Sequence, residues 1–118
     1  MLRIGAMEKE IKKEDAVDTK TNRYSFKDER YFYYLVKNRF HEEELEAWME
    51  IGKEVKEKGS ISRVDAELIF LEKVKDDIET LKRNFPKRMK YLAENNALEE
   101  KPSWEMIPKE KLMKLRLD

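Results

Sequence analysis

Residues 42–59 read EEELEAWMEIGKEVKEKG and contain the clearest helix signal in this sequence. Apolar residues recur there at three- and four-residue spacing, which places them on one face of a helix. They are Leu45, Trp48, Met49, Gly52 and Val55. Acidic residues crowd the first turn and lysines the last, as the helix macrodipole favours. Gly59 follows where a left-handed residue commonly ends a helix, so we predict a helix over 42–58.

A second helix is predicted after the short Gly-Ser connection, with Ser60 or Ser62 as its cap. Ser62 and Asp65 have the spacing of a capping box. Apolar residues then form a heptad seam that Glu67 interrupts. The seam consists of Val64, Leu71, Val74, Ile78, Leu81 and Phe85. Pro86 either kinks this helix or restarts it. The apolar spacing continues beyond the proline, so the pattern favours one kinked helix over 63–94, antiparallel to its predecessor.

Residues 25–40 include the aromatic stretch RYFYYLV, whose composition also suits a strand. We predict a helix because Phe32, Leu35 and Phe40 fit one helical face and no hairpin signal flanks the stretch. Three glycines and three prolines in the whole chain leave few turns, which argues against a many-stranded fold. The predicted fold is therefore all-α: an antiparallel helical hairpin with a third packed helix, forming a small helical bundle.

The same patterns divide the chain into three parts. Apolar residues are sparse over 1–24, which is predicted to be a mobile N-terminal arm. The helical bundle domain covers 25–95, because the Asn-Asn pair after the last helix favours a stop. Residues 96–118 are predicted to be a C-terminal tail, in which Pro108 is a candidate start for a short helix.

Composition narrows the class of protein. The sequence contains no cysteine, which excludes disulfides and thiolate metal sites. Charged residues make up 44% and are mostly lysine and glutamate, and glutamine is absent, a bias typical of thermophile proteins. The 26 basic and 26 acidic residues cancel, so net charge does not predict a polyanionic partner. The lack of a long apolar run or a secretory signal predicts a cytoplasmic protein without membrane contact.

One group of acids has a pattern that suits a hard cation. Glu42, Glu43 and Glu46 form Glu-Glu-x-x-Glu, and Glu72 and Asp76 lie one turn apart further along the chain. Converging carboxylates and substrate phosphates hold magnesium. The arrangement, which covers the central half of the chain, resembles the all-α nucleotide pyrophosphatases of the MazG type, which use Glu-Glu-x-x-Glu and a downstream Glu-x-x-Asp on an antiparallel helix pair. Here the second element is Glu-x-x-x-Asp. The resemblance implies a magnesium-dependent nucleotide hydrolase, and the alternative is that these acids are solvated surface charges.

Other catalytic patterns are missing from the sequence. His41 is the single histidine and has no second metal-ligand motif beside it. No Gly-x-Ser-x-Gly elbow occurs, and the three glycines, at positions 5, 52 and 59, form no phosphate loop. We therefore predict no cofactor and favour a protein that is not an enzyme.

Residues 82–90 read KRNFPKRMK and carry five basic residues without an acid, whereas 42–57 carry seven glutamates and two lysines. A basic helix end can neutralise phosphates, and Tyr91 or Phe85 can stack on a base if exposed. The alternative is that these cations complement the helix dipole. The candidate nucleic-acid contacts are Arg63, Lys82, Arg83, Lys87, Arg88 and Lys90.

The surplus of apolar residues favours an interaction module. The heptad seam is long for so short a chain, and further apolar residues widen it, which predicts a homodimer. The tail adds an apolar set that either packs back on the domain or docks into a partner. The candidate partner-binding residues are Ile69, Phe70, Trp104, Met106, Ile107, Leu112 and Leu115. The leading prediction is thus a non-enzymatic, regulatory protein–protein interaction or adaptor module. A nucleic-acid-binding regulator is the alternative, and the magnesium-dependent pyrophosphatase is the third hypothesis.

Overall fold

The computed structural model describes residues 15–116, and over this range the fold is mixed α/β. A three-stranded antiparallel sheet packs with five helices. The strands are β1 (Ala16–Phe26), β2 (Ile61–Ser62) and β3 (Leu98–Pro108). The helices are α1 (Glu29–Arg39), α2 (Leu45–Lys58), α3 (Arg63–Lys73), α4 (Ile78–Glu94) and α5 (Lys109–Arg116). The all-α, helical-bundle prediction was therefore wrong.

The sheet is dominated by a two-stranded ribbon of β1 and β3. The two strands pair along their whole length, from Ala16 opposite Pro108 to Phe26 opposite Leu98. The strand order is β2-β1-β3, and β2 is only two residues long. Most ribbon residues are exposed or half-buried, so neither strand has the strict apolar alternation that identifies a strand in a sequence. Pairing between residues 16–26 and 98–108, which are far apart in the sequence, stabilises the ribbon instead.

The ribbon also changes the predicted division of the chain. Within the predicted arm, residues 16–24 belong to β1, while residues 1–14 lie outside the described residues. Within the predicted tail, residues 98–108 form β3. A short helix does follow Pro108, as the sequence indicated, and α5 packs against α3 and β3. Residues 16–24 and 98–116 are thus part of the folded domain and not appendages to it.

The predicted long helix over 63–94 is two helices. α3 ends at Lys73, and the backbone of Val74 after it is extended. The Asp77 side chain caps α4 by accepting from the backbone N–H of Thr80 at 2.8 Å. Pro86 lies inside α4 and does not end it. The predicted Ser62 cap and the left-handed Gly59 are confirmed, with a φ of 88° at the glycine. No helix among the described residues is long and apolar enough to cross a membrane.

The core lies between the helices and one end of the ribbon. Trp48 is fully buried at its centre, stacked on Phe85 at 6.1 Å and tilted against Phe70 at 5.6 Å between ring centroids. Gly52 lets α1 and α2 approach closely, because a Cβ there would lie 2.9 Å from Phe32 Cε2. Of the predicted seam, Val64, Val74, Leu81 and Phe85 are buried inside this one chain. That burial removes most of the apolar surplus from which the sequence predicted a dimer.

Candidate functional site

The five acids of the predicted magnesium site do not converge. Glu42, Glu43 and Glu46 are exposed around the start of α2. Glu72 lies on α3, but Asp76 lies beyond the end of that helix, so the predicted one-turn spacing is not formed. Within residues 15–116, no group of three or more acidic or histidine side chains is placed to hold a metal ion. The geometry therefore offers no support for the pyrophosphatase.

Glu44 is the acid that the structure singles out, although no sequence pattern distinguished it from its neighbours. Its side chain is 5% exposed and accepts hydrogen bonds from Trp48 Nε1 at 3.1 Å, Arg88 Nε at 3.0 Å and Arg88 Nη2 at 2.9 Å. Each carboxylate oxygen is therefore used. Two-point pairing of this kind fixes both the position and the plane of the guanidinium. The buried Glu44 carboxylate thus holds Arg88, a predicted nucleic-acid contact, in a fixed orientation.

The other predicted nucleic-acid contacts are dispersed. Arg63 begins α3 and lines one cleft together with Lys90 of the basic stretch. Lys82 Nζ donates to the backbone carbonyl of Leu115 on α5. Arg83, Lys87 and Lys90 are exposed, and their spacing of four and three residues places them on one side of α4. Phe85 is fully buried and cannot stack on a base, whereas Tyr91 is half-exposed.

One small depression is lined only by basic and aromatic side chains, and we name it the basic cleft. Its lining residues are Arg39, Phe40, Lys87, Arg88 and Tyr91, around a volume of about 370 Å³. The Arg88 guanidinium carbon lies 5.5 Å from the Phe40 ring centroid, and the Phe40 and Tyr91 rings are 5.9 Å apart. The end of α1 and the second half of α4 meet here, which brings the basic end of one helix onto the basic stretch of the other.

A second exposed surface lies on the ribbon, and we name it the open ribbon face. Alternate residues of a strand share a face, and residues opposite each other on paired strands share it too. Lys20 lies opposite Trp104 and Asp18 opposite Met106. Trp104 is 66% exposed and Met106 is 49% exposed. An exposed tryptophan beside an exposed methionine is unusual on the surface of a folded domain and is typical of interfaces.

The remaining predicted partner-binding residues are less accessible. Phe70 is fully buried in the core and Ile107 is 4% exposed, so neither is available to a partner in this fold. Ile69, Leu112 and Leu115 are half-buried. Trp104 and Met106 are therefore the two members of the predicted set that lie open. The spacing of two between them suits a strand, but a single pair is too short a pattern to identify β3 from the sequence.

A cleft of about 600 Å³ lies between the ribbon and α4 and carries both signs of charge. Its basic residues are Lys27, Arg63 and Lys90, and its acidic residues are Glu94, Glu99 and Glu100. The hydroxyl of Tyr24 donates to Glu100 Oε2 at 2.6 Å. Burial and this hydrogen bond to a carboxylate raise the pKa of Tyr24, which keeps the phenol protonated. Because the charges balance, the cleft shows no preference for an anion or a cation.

Glu67, which interrupts the predicted seam, is buried on α3, with 8% of its surface exposed. Burial raises the pKa of its carboxyl, against the opposing effect of the Arg63 and Lys82 cations. Since the native state favours the neutral form, this group stabilises the fold most at low pH, and that stability is lost as pH rises through the raised pKa.

We therefore expect Glu67→Gln to raise the free energy of unfolding at neutral pH by roughly 1 kcal/mol, because an amide avoids the cost of burying a charge. The gain should shrink as pH falls through the range in which Glu67 becomes protonated. Urea unfolding at several pH values measures this. Glu72→Gln, on the exposed part of the same helix, is the matched control and should show no such pH-dependent gain. A Glu67→Gln variant less stable than the parent at neutral pH would contradict the prediction.

The sequence matches no protein-family model, and searches of curated proteins and of solved structures also found no match. Within residues 15–116, the open ribbon face and the basic cleft each carry a chemical preference that bears on function.

Proposed function

We propose that the protein is a non-enzymatic, regulatory protein–protein interaction module that forms a homodimer through the open ribbon face. The observation that carries this proposal is the exposure of Trp104, 66%, beside Met106, 49%, on that face. Both are residue types enriched in interfaces, and a tryptophan that loses its contact with water gives a large share of the binding energy. A partner that covers this face removes both side chains from water.

A second copy of the chain fits this face because the face is complementary to itself. Asp18 and Lys20 lie on the same face of β1, beside the apolar residues of β3. In a two-fold dimer the same surface contacts itself, so a patch with one charge of each sign can pair its lysine with the partner's aspartate. The chain has no net charge, so two copies are not repelled as they approach.

Light scattering coupled to size exclusion tests the proposal. We expect a mass of twice 14.3 kDa for the parent chain. Trp104→Ala combined with Met106→Ala should weaken dimerisation at least about tenfold, the effect of losing one interface hot spot. Met113→Ala, a similarly exposed methionine on α5, is the control and should leave the dimer intact.

A charge exchange distinguishes a second copy from any other partner. Lys20→Asp alone should weaken the dimer, because it sets acids against acids across the two-fold axis. Adding Asp18→Lys restores one charge of each sign and should restore dimerisation. A parent chain that stays monomeric at every concentration, with its fold intact by circular dichroism, refutes the homodimer and leaves the face to a different protein. Recovery in the exchange variant supports the homodimer directly.

A further inference from the structure

We propose that the basic cleft binds a nucleotide, through its phosphate and its base, either as a free nucleotide or as one unit of a single strand. This binding site shares no residue with the open ribbon face. Its occupation is therefore a second function, independent of dimerisation.

The cations of the basic cleft are available to an anion. Arg39 and Lys87 are exposed, and among the described residues neither forms an ion pair with an acid. Arg88 uses Nε and Nη2 to hold Glu44, which leaves Nη1 free of side-chain hydrogen bonds within the described part of the chain. Glu44 balances the charge of Arg88, so Arg39 and Lys87 give the cleft an excess of two positive charges. A phosphate monoester carries about two negative charges at neutral pH, which matches this excess.

The aromatic residues of the cleft favour a ligand with a flat ring over a simple anion. Phe40 is already covered, by the Arg88 guanidinium at 5.5 Å and by Trp48, whose ring centroid is 5.2 Å away. Tyr91 is half-exposed and inclined at 58° to Phe40, so a base can stack on Tyr91 but not on both rings. Stacking on an aromatic side chain adds to the affinity of a nucleotide and adds nothing for inorganic phosphate.

The size and rigidity of the cleft suit a small ligand. Its volume of about 370 Å³ lies at the lower end of the range of small-molecule sites. Arg88 is held in place before any ligand arrives, because Glu44 fixes its guanidinium from the buried side. A donor that is already oriented loses little side-chain freedom on binding, which favours affinity. The chain has no net charge, but its charges are segregated, so a locally positive site can form within it.

The test is calorimetric titration of the full chain with AMP, adenosine and inorganic phosphate at low ionic strength. A fluorescein-labelled oligoribonucleotide of about ten residues, followed by anisotropy, covers the strand form. We expect AMP to bind at least about fivefold more tightly than inorganic phosphate, the smaller effect measured for stacking one base. Adenosine alone should bind more weakly than AMP, since it offers no charge to Arg39 and Lys87.

Charge-reversal variants show where the ligand binds. Arg39→Glu with Lys87→Glu should weaken AMP binding at least about tenfold, because charge-assisted hydrogen bonds are lost and repulsion replaces them. Arg30→Glu with Lys53→Glu changes the net charge equally at exposed positions outside the cleft, and should change affinity by less than about twofold if the site is local.

Tyr91 variants test the stacking of the base. Tyr91→Leu should weaken the binding of AMP but not that of phosphate, and Tyr91→Phe should retain AMP binding because the ring remains.

Each result decides between the outcomes. An oligonucleotide that binds more tightly than AMP, with a salt-dependent affinity, identifies a single strand as the source of the nucleotide; equal affinities identify the free nucleotide. Either supports the proposal. It is overturned if neither AMP nor the oligonucleotide binds, if inorganic phosphate binds as tightly as AMP, or if the variant of Arg30 and Lys53 loses as much affinity as the cleft variant.

Discussion

Replacing Glu44 with leucine is expected to lower the free energy of unfolding by about 3 kcal/mol. The substitution removes all three hydrogen bonds that the carboxylate accepts, from Trp48 Nε1 and from two nitrogens of Arg88. The larger cost is electrostatic, because Arg88 is only 21% exposed and keeps its charge without an acid beside it. Urea unfolding followed by circular dichroism, at one fixed protein concentration, measures the change.

Two further variants separate the charge effect from simple loss of contacts. Adding Arg88→Met to Glu44→Leu removes the unpaired charge, so the double variant should be more stable than the single one. Glu43→Leu changes the exposed neighbouring acid and should alter stability by less than about 0.5 kcal/mol. A Glu44→Leu variant that loses less than about 1 kcal/mol, or a double variant less stable than the single one, would show that the unpaired charge of Arg88 is not what destabilises the fold.

Trp48→Ala is expected to cost about 4 kcal/mol, the usual effect of truncating a large core aromatic. Trp48 is fully buried and its ring contacts Phe40, Phe70 and Phe85, at centroid distances of 5.2, 5.6 and 6.1 Å. Those three rings come from different helices or helix ends, so the cavity would open at the point where the helices meet. Chemical unfolding measures the loss, and a broadened thermal transition should accompany it.

The chain contains a matched control for that prediction in its other tryptophan. Trp104→Ala makes the same chemical change at a position that is 66% exposed. At a protein concentration low enough for the chain to be monomeric, it should change stability by less than about 0.5 kcal/mol. Trp48→Phe should fall between the two, because a ring remains but the hydrogen bond to Glu44 is lost. Equal losses for the two alanine variants would contradict the placement of Trp48 at the centre of the core.

The sequence predicted some residues of each candidate surface and missed others. Lys87 and Arg88 lie in the basic stretch, and Tyr91 was a predicted stacking residue. Arg39 and Phe40 were missed as partners of that stretch, because only the packing of α1 against α4 brings them beside it. Trp104 and Met106 were expected at an interface. Their charged neighbours on β1 were missed, since that segment was assigned to a mobile arm.

Local sequence patterns are enough to predict several features of the helices. The apolar face around Trp48, the Ser62 cap and the left-handed Gly59 depend on residues within one or two turns of each other, so their spacing predicts them. The ribbon and the buried ion pair depend on contacts between distant parts of the chain. Arg23 and Glu105 pair across 82 positions, and Arg88 and Glu44 across 44. No local pattern encodes such contacts. A segment whose two faces are both partly exposed to water has no strict apolar alternation, and it forms a strand only when a distant partner satisfies its backbone hydrogen bonds.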